Sequence, residues 1–233
     1  MKMKENGKRE LLKGIALLAA FMVWTILIQT VDVQAVGPNG TSVGFAAFNQ
    51  WFHQVTGVHM MVYTITDWLG LVPIMICMGF GGLGLSQWIK RKRLLRVDGD
   101  ILLLGVYYLL VIFGYQFFEM VPINYRPVLI DGILEASYPS STTLLVLSVM
   151  PTLTLQMDRR CQNRRLRRGI NAFAVLFSAF MVIGRLISGV HWATDIVGSV
   201  LLSTGLFRLY RASVIITDQK GRLRRKEEAS GIQ

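Results

Sequence analysis

The chain has 233 residues, of which 52% are apolar, a positive mean hydropathy and a formal net charge of +11. This composition excludes an ordinary soluble domain and predicts a polytopic membrane protein. Six apolar stretches are long enough, at about 1.5 Å per residue, to cross about 30 Å of hydrocarbon. They are residues 14–31, 67–89, 100–118, 139–156, 169–187 and 191–209. Because they fill most of the chain, we predict an all-α fold of six transmembrane helices in one domain, residues 1–233.

The positive charges are concentrated in alternate connections between these spans. The basic segments are residues 1–13, 90–96, 159–168 and the tail 210–233. The positive-inside rule places these segments, and both termini, in the cytoplasm, and we expect a bacterial plasma membrane. No aromatic-basic motif accompanies them, so contact with anionic lipids is favoured over nucleic-acid binding. Only Arg126 and Arg185 fall on the outer face, which makes both candidates for a functional site.

The first outer loop, residues 32–66, is the longest polar interruption. Within it, residues 45–58 carry aromatic side chains at helical spacing, namely Phe48, Trp51 and Phe52. This pattern predicts an amphipathic segment that lies on the membrane surface. At the end of the loop, Thr66 and Asp67 are suited to cap the second span.

The second outer loop ends in a Ser-Tyr-Pro-Ser-Ser-Thr sequence that leads into the fourth span. Pro139 suits the first helical turn, and Ser137 or Tyr138 stands where a helix cap belongs. Ser140, Ser141 and Thr142 would then present backbone N–H groups and hydroxyls at a helix N-terminus. Such an end favours anions, so we predict a phosphate-binding turn here.

Arg185, His191 and Asp195 form a compact polar group between the last two spans. A neutral imidazole can attack phosphorus, and a guanidinium can hold the phosphoryl oxygens. On a helix, a carboxylate at position i+4 shares the face of the histidine and can fix its tautomer. The pattern therefore indicates a histidine nucleophile for phosphoryl transfer. A purely structural ion pair between Arg185 and Asp195 is the alternative.

These residues resemble the third motif, Ser-Arg-x5-His-x3-Asp, of the type 2 phosphatidic acid phosphatase family. Those proteins are integral-membrane lipid phosphatases related to vanadium haloperoxidases, and the resemblance extends over all six spans. Arg185, His191 and Asp195 match the motif, with Gly184 in place of its serine.

The other two family motifs are matched in part. The second motif, Pro-Ser-Gly-His, corresponds to residues 139–142, where Thr142 replaces the histidine. The first motif, Lys-x6-Arg-Pro, corresponds to Arg126 and Pro127, with Glu119 where the lysine belongs. The sequence therefore lacks two groups of the family's usual machinery.

The resemblance implies a role for each matched residue. His191 would be the nucleophile that forms a phosphohistidine, and Asp195 would orient it. Arg126 and Arg185 would bind phosphate, and the turn at Ser140 would donate backbone N–H groups. The substrate would be a lipid phosphate or pyrophosphate in the outer leaflet, reached from the bilayer. No metal-ligand spacing and no sign of a cofactor accompany these residues.

The missing histidine leaves alternatives open. In the family it is thought to protonate the leaving group, which Thr142 cannot do. The missing acid should therefore slow the hydrolysis of lipid pyrophosphates less than that of lipid monophosphates. A protonated Glu119, or one of His53 and His59, is a candidate substitute acid. A lipid-phosphate binding or transport protein on the same scaffold is the second hypothesis. A channel is disfavoured because the spans contain almost no ionisable residues.

Overall fold

The computed structural model describes residues 2–230 and the side chains of residues 5–221. Within these residues the chain forms eight α-helices, which confirms the all-α prediction. The helices are α1 (Lys2–Thr30), α2 (Ala46–Thr56), α3 (Met60–Leu69), α4 (Leu71–Arg91), α5 (Gly99–Met120), α6 (Ser141–Arg160), α7 (Arg164–Ile187) and α8 (Ala193–Ser230). The first basic side chains and those of the tail beyond residue 221 lie outside the described side chains.

Five segments of the described chain are long and apolar enough to cross a membrane. They are Glu5–Thr30, Met60–Arg91, Gly99–Met120, Arg164–Ile187 and Ala193–Gly221. The remaining predicted span, residues 139–156, coincides largely with α6, which is long enough but more polar. The hydroxyl of Thr152 lies 2.7 Å from that of Tyr108, and Gln156 donates to the Tyr210 hydroxyl at 2.6 Å. Because α6 packs among α4, α5, α7 and α8, it can bury such groups, and its role as a sixth span stays a prediction.

The predicted amphipathic segment of the first outer loop is α2. Its exposed face carries Phe48, Trp51 and Val55, whereas Ala46 and Asn49 are buried against the rest of the protein. An apolar exposed face next to a buried polar residue fits a helix that lies on a membrane surface. That placement stays a prediction.

The second span begins earlier than the sequence predicted. Helix α3 starts at Met60, and α4 follows it after a single turn residue, Gly70. Asp67 therefore lies in the last turn of α3 rather than at the start of a helix. The predicted capping role of Asp67 is wrong, because helical structure begins well before it.

Helix α1 packs along α8 in the most extensive helix contact of the fold. The indole N–H of Trp24 donates to the carbonyl oxygen of Thr194 at 3.1 Å. The hydroxyl of Thr25 lies 2.7 Å from that of Tyr138, whose ring stacks on Phe21 with centroids 5.9 Å apart. These contacts fix the start of α8 and the chain just before α6, the two segments that carry the predicted site.

At the opposite end of the bundle, ion pairs join α5, α6 and α8. Asp100 is buried, and its carboxylate accepts hydrogen bonds from Arg159 at 3.0 Å and from Arg160 at 2.7 Å. Arg159 also binds Asp218 of α8 at 2.8 Å. Part of the basic segment 159–168 is therefore used to hold helix ends together, in addition to any effect on orientation.

Candidate active site

His191 is presented by a tight loop between α7 and α8. It precedes Ala193, the first residue of α8, so the predicted helix face shared by His191 and Asp195 is wrong. The loop turns at Gly189, whose φ is +71°, and a Cβ atom there would lie 2.1 Å from the carbonyl oxygen of Gly57. Only glycine combines that conformation with so close an approach of two backbones.

Helix α2 and the connection after it support this loop. The buried amide of Asn49 donates to the carbonyl oxygen of Gly44 and, at 2.9 Å, to the hydroxyl of Thr194 in the first turn of α8. The ring of His53 contacts the carbonyl oxygen of Gly189 at 3.1 Å through Nε2. The loop that carries His191 is thus braced from the side of α2.

The two histidines proposed as substitute acids are both engaged with backbone carbonyls. His53 contacts Gly189 as described, and Nε2 of His59 contacts the carbonyl oxygen of Thr56 at 2.8 Å. Because a carbonyl oxygen accepts only, each of these nitrogens carries the proton of the contact. Neither ring lines the cavity beside His191. The structure therefore gives neither histidine the position of a leaving-group acid.

A short hairpin formed by the second outer loop supplies the next residues. The backbone N–H of Arg126 donates to the carbonyl oxygen of Glu135 at 3.0 Å, and that of Ser137 donates to Asn124 at 2.9 Å. Isolated β-bridges, including one between Tyr125 and Ala136, mark the pairing. The hairpin holds Asn124, Arg126 and Ser137 at the same edge of the site.

Ser137 links His191 to Asp195. Its hydroxyl lies 3.0 Å from Nδ1 of His191 and donates to the Asp195 carboxylate at 2.5 Å. The carboxylate also accepts from the Asn124 amide at 3.2 Å and from the Trp192 N–H at 2.9 Å. The predicted direct orientation of His191 by Asp195 is therefore corrected, because the serine stands between the two side chains.

The hydrogen bonds of His191 assign its tautomer. Nδ1 also lies 3.2 Å from the carbonyl oxygen of Ser137, which can only accept, so Nδ1 carries the proton. Nε2 is then left with its lone pair, and this buried atom has no hydrogen-bond partner among the residues described. Burial, followed by the positive charges of Arg126 and Arg185, holds the pKa of His191 well below its ordinary value. The site therefore holds a neutral imidazole with a free Nε2.

Arg185 lies at the centre of the site and is only 1% exposed. One terminal nitrogen, Nη2, donates to the Asp67 carboxylate at 2.8 Å and contacts the hydroxyl of Thr142. The other two nitrogens, Nε and Nη1, are buried and find no partner within residues 5–221. A buried cationic nitrogen without a partner is costly, so this geometry favours an anionic ligand.

Arg126 contributes a second cation on the same side. Its Nη1 is also buried without a partner in the described part of the chain, and its Nε lies 3.0 Å from the Glu135 carboxylate. The ring of Tyr63 is shared by both arginines, with the guanidinium carbons of Arg126 and Arg185 at 5.7 Å and 4.9 Å from its centroid. The structure thus brings together the two arginines that the charge distribution singled out.

The turn before α6 differs in detail from the prediction. Helix α6 begins at Ser141, and the hydroxyl of Ser140 donates to Thr143 at 3.1 Å. The backbone N–H of Ser140 is directed to the carbonyl oxygen of Asp195 at 3.4 Å, and its role as a phosphate donor stays a prediction. Ser141 and Thr142 occupy the first turn, where backbone N–H groups lack intrahelical partners. These two residues retain the predicted anion-binding position.

Two cavities meet at the site. A small cavity of about 10 Å³, roughly the size of one water molecule, is lined by His191 and by Glu119 from the last turn of α5. A larger cavity of about 400 Å³ between α4, α5 and α6 is lined by Asp67, Thr142 and apolar side chains. Both cavities share the residues Tyr115 and Ser141.

Four residues of this site were not predicted from the sequence to belong to it. Ser137 and Asp67 were interpreted as helix caps, whereas Asn124 and Tyr63 carried no motif. One signal was available for Asn124, because it stands two residues before Arg126, and alternate residues of an extended segment share a face. Asp67 and Tyr63 both lie in α3. The hydropathy pattern did not predict where this helix begins, so neither residue could be placed near the site.

The family model of the PAP2 superfamily matches residues 100–215. Among solved structures, the chain is similar to the first transmembrane PAP2 type phosphatidylglycerolphosphate phosphatase from Bacillus subtilis. The TM-score is 0.59 at 18% sequence identity, over 89% of this chain and 96% of that chain. A comparison with curated proteins finds no match.

Proposed function

The chain belongs to the PAP2 superfamily, and from this membership and its site we propose that it is a membrane phosphatase that hydrolyses a lipid phosphate or pyrophosphate. The observation that carries the proposal is the free Nε2 of His191. This atom is buried next to two arginines whose nitrogens also lack partners within the described side chains. A phosphoryl group would satisfy all of these atoms at once.

The first half of the reaction is attack by Nε2 on phosphorus. A bond forms between Nε2 and phosphorus as the bond to the leaving oxygen breaks, giving a phosphohistidine. Arg126 and Arg185 balance the charge of the phosphoryl oxygens, which is the main requirement of phosphoryl transfer. The imidazole becomes positive as it reacts, and the Nδ1 proton is held by Ser137, which is backed by Asp195.

The second half is hydrolysis of the phosphohistidine. Water attacks phosphorus, the bond to Nε2 breaks, and inorganic phosphate leaves with the imidazole neutral again. The residues of the first half-reaction serve here too, since the arginines hold the same three oxygens.

The leaving group limits which lipids react well. Thr142 occupies the place of the family's acid histidine and has no proton to give near neutral pH. An alkoxide leaving from a monophosphate needs protonation, whereas a phosphate leaving from a pyrophosphate is a much weaker base. We therefore propose that a lipid pyrophosphate, such as a polyprenyl pyrophosphate, is a better substrate than a lipid monophosphate.

The site belongs, in this proposal, to the extracytoplasmic side of the membrane. Arg126 lies between α5 and α6, His191 lies between α7 and α8, and Ser141 begins α6. The basic segments 90–96 and 159–168 adjoin the opposite ends of α5, α6 and α7. The cavity of about 400 Å³ between α4, α5 and α6 offers an apolar route from the bilayer to Thr142. A lipid could bring its phosphate to His191 by this route without leaving the outer leaflet.

Phosphate release from the purified protein tests the proposal. The substrates are undecaprenyl pyrophosphate, phosphatidylglycerol phosphate and phosphatidic acid, each presented in the same detergent micelles. We expect phosphate release from wild type and loss of release in His191→Ala. Release should be retained in His59→Ala, which removes an exposed histidine between α2 and α3. Activity that survives His191→Ala would refute the nucleophile, and faster turnover of the monophosphates would refute the leaving-group argument.

Thr142→His tests the vacant acid position directly. A histidine there should raise the turnover of phosphatidic acid by about 10²-fold or more, the usual contribution of general acid catalysis. It should change pyrophosphate turnover much less, because that leaving group needs less assistance. An equal effect on both substrates would show that the position does not act on the leaving group.

A lipid-phosphate binding protein is the second candidate. It is favoured by one observation, the threonine hydroxyl at the acid position in contact with Arg185. In that case wild type and His191→Ala would bind the lipids equally and neither would release phosphate. Release by wild type alone would exclude it.

A further inference from the structure

Asp67 is brought into the site by a feature that distinguishes this chain from the family motif. Gly184 replaces the motif's serine, and a Cβ atom at Gly184 would lie 2.7 Å from the Cγ2 atom of Thr66. Without a side chain at this position, α3 can approach α7 closely. The approach places the carboxylate of Asp67 at 2.8 Å from Arg185.

Asp67 and Thr142 meet at one atom. Nη2 of Arg185 contacts both side chains, so the carboxylate stands beside the position where the family motif has its histidine. The two partners of this ion pair differ in exposure, with the Arg185 side chain at 1% and that of Asp67 at 58%. Asp67 therefore faces open space, and that space is the cavity of about 400 Å³.

The stereochemistry of phosphoryl transfer identifies which side of the phosphorus matters. Attacking and leaving atoms lie roughly in line, so the leaving group departs opposite Nε2. In the second half-reaction Nε2 is itself the leaving atom, and water must enter from that same opposite side. By the family resemblance this is the side of Thr142, which is also the side of Asp67.

We propose that Asp67 is the general base that activates water for hydrolysis of the phosphohistidine, an inference that rests on the function proposed above. One O–H bond of the water breaks and its proton passes to the Asp67 carboxylate. The oxygen bonds to phosphorus, the bond from phosphorus to Nε2 breaks, and its electron pair returns to the imidazole. Asp67 then passes the proton to the departing inorganic phosphate, which returns the carboxylate to its starting state.

This role also refines the substrate class. A carboxylate that is ion-paired with Arg185 begins the cycle able to accept a proton, with none to donate. The site would thus possess a base for its second step, whereas Thr142 replaces the family's acid histidine for its first. Such a division suits phosphate anhydrides, whose leaving group departs without a proton, better than phosphate esters.

Rapid-quench trapping of the phosphoenzyme with a radiolabelled lipid pyrophosphate tests the proposal. In Asp67→Asn we expect steady-state phosphate release to fall by about 10² to 10⁴-fold, the range of general base catalysis. Phosphorylation of His191 should remain fast, so acid-labile phosphohistidine accumulates. Asp131→Asn is the matched control, because Asp131 is exposed in the second outer loop and should behave as wild type.

Two further variants separate a base from a partner that merely positions Arg185. Thr142→His in the Asp67→Asn background should restore hydrolysis and remove the accumulated phosphohistidine, because it supplies a base on the same side. Asp67→Glu keeps a carboxylate and should retain more activity than Asp67→Asn. Both variants are compared with wild type for folding by thermal unfolding in detergent.

The outcomes are distinct from failure of the proposed function. If Asp67→Asn slows phosphorylation itself, or if phosphate release is unchanged, Asp67 is not the base, whereas an active wild type and inactive His191→Ala would still support the phosphatase. If wild type forms no phosphohistidine and releases no phosphate, both proposals are overturned together.

Discussion

The link between His191 and Asp195 through Ser137 makes a quantitative prediction. Ser137→Ala removes two hydrogen bonds, one to the imidazole and one to the carboxylate. Asp195 keeps its bonds from Asn124 and Trp192, and His191 keeps the carbonyl contact at 3.2 Å, so the fold should be preserved. What is lost is the stabilisation of the imidazole as it becomes positive.

The size of the effect follows from the charge that develops. A hydrogen bond to a charged group is worth about 1.5–3 kcal/mol, and about 1.4 kcal/mol corresponds to a tenfold change in rate. We therefore expect kcat to fall by about 10-fold to 150-fold. KM should change little, because among the described residues Ser137 has no hydrogen bond with the arginines that would hold the phosphate.

A double-mutant cycle for phosphate release checks the connectivity. Since Asp195 acts through Ser137 on this geometry, the double variant Ser137→Ala with Asp195→Asn should be hardly slower than the slower single variant. Rate losses that simply multiply would refute the linkage. Ser203→Ala is the control and should leave kcat unchanged. Ser203 lies in α8 and is as buried as Ser137, but its hydroxyl forms hydrogen bonds only within its own helix.

Three other predictions concern the loop and the cations. Gly189→Ala should lower the thermal unfolding temperature and kcat more than Gly132→Ala does, because both residues have positive φ but only Gly189 has backbone within contact; equal losses would remove the steric argument. In histidine-labelled NMR spectra, the signal that disappears in His191→Ala should not titrate between about pH 8 and pH 6, because a lowered pKa delays protonation to lower pH; a midpoint near 6.5 would contradict this. Arg185→Lys should weaken inhibition by inorganic phosphate at least about tenfold, since lysine cannot present two nitrogens in one plane; unchanged inhibition would exclude Arg185 from the phosphate site.

The sequence was sufficient for much of the fold because a bilayer imposes strong rules. Apolar length predicted the helices, and the distribution of cations isolated Arg126 and Arg185 as exceptions. The predicted span 139–156 corresponds to α6, which is more polar than the five segments that are apolar enough to cross a membrane, because its residues face other helices and so need not be apolar. Hydropathy measures the preference of a residue for lipid, and a helix enclosed by protein is not subject to that selection.

The candidate site was predictable in composition but not in connectivity. The spacing of His191 and Asp195 suggested a shared helix face, whereas His191 lies in the loop before α8 and Asp195 lies in the first turn of α8. Their interaction is made through Ser137, which is 54 residues from His191 along the chain. Partners from a distant segment cannot be derived from local spacing, and for the same reason Asp67 was interpreted as a cap.

The bracing of the His191 loop by α2 has a consequence for how the protein would select lipids. One face of α2 holds the loop through Asn49 and His53, while the other exposes Phe48 and Trp51. If α2 lies on the bilayer as predicted, its depth among the headgroups sets the height of His191 above the hydrocarbon. The position of α2 would then select the substrate, because a lipid would react only if its phosphate lies at the same height as His191.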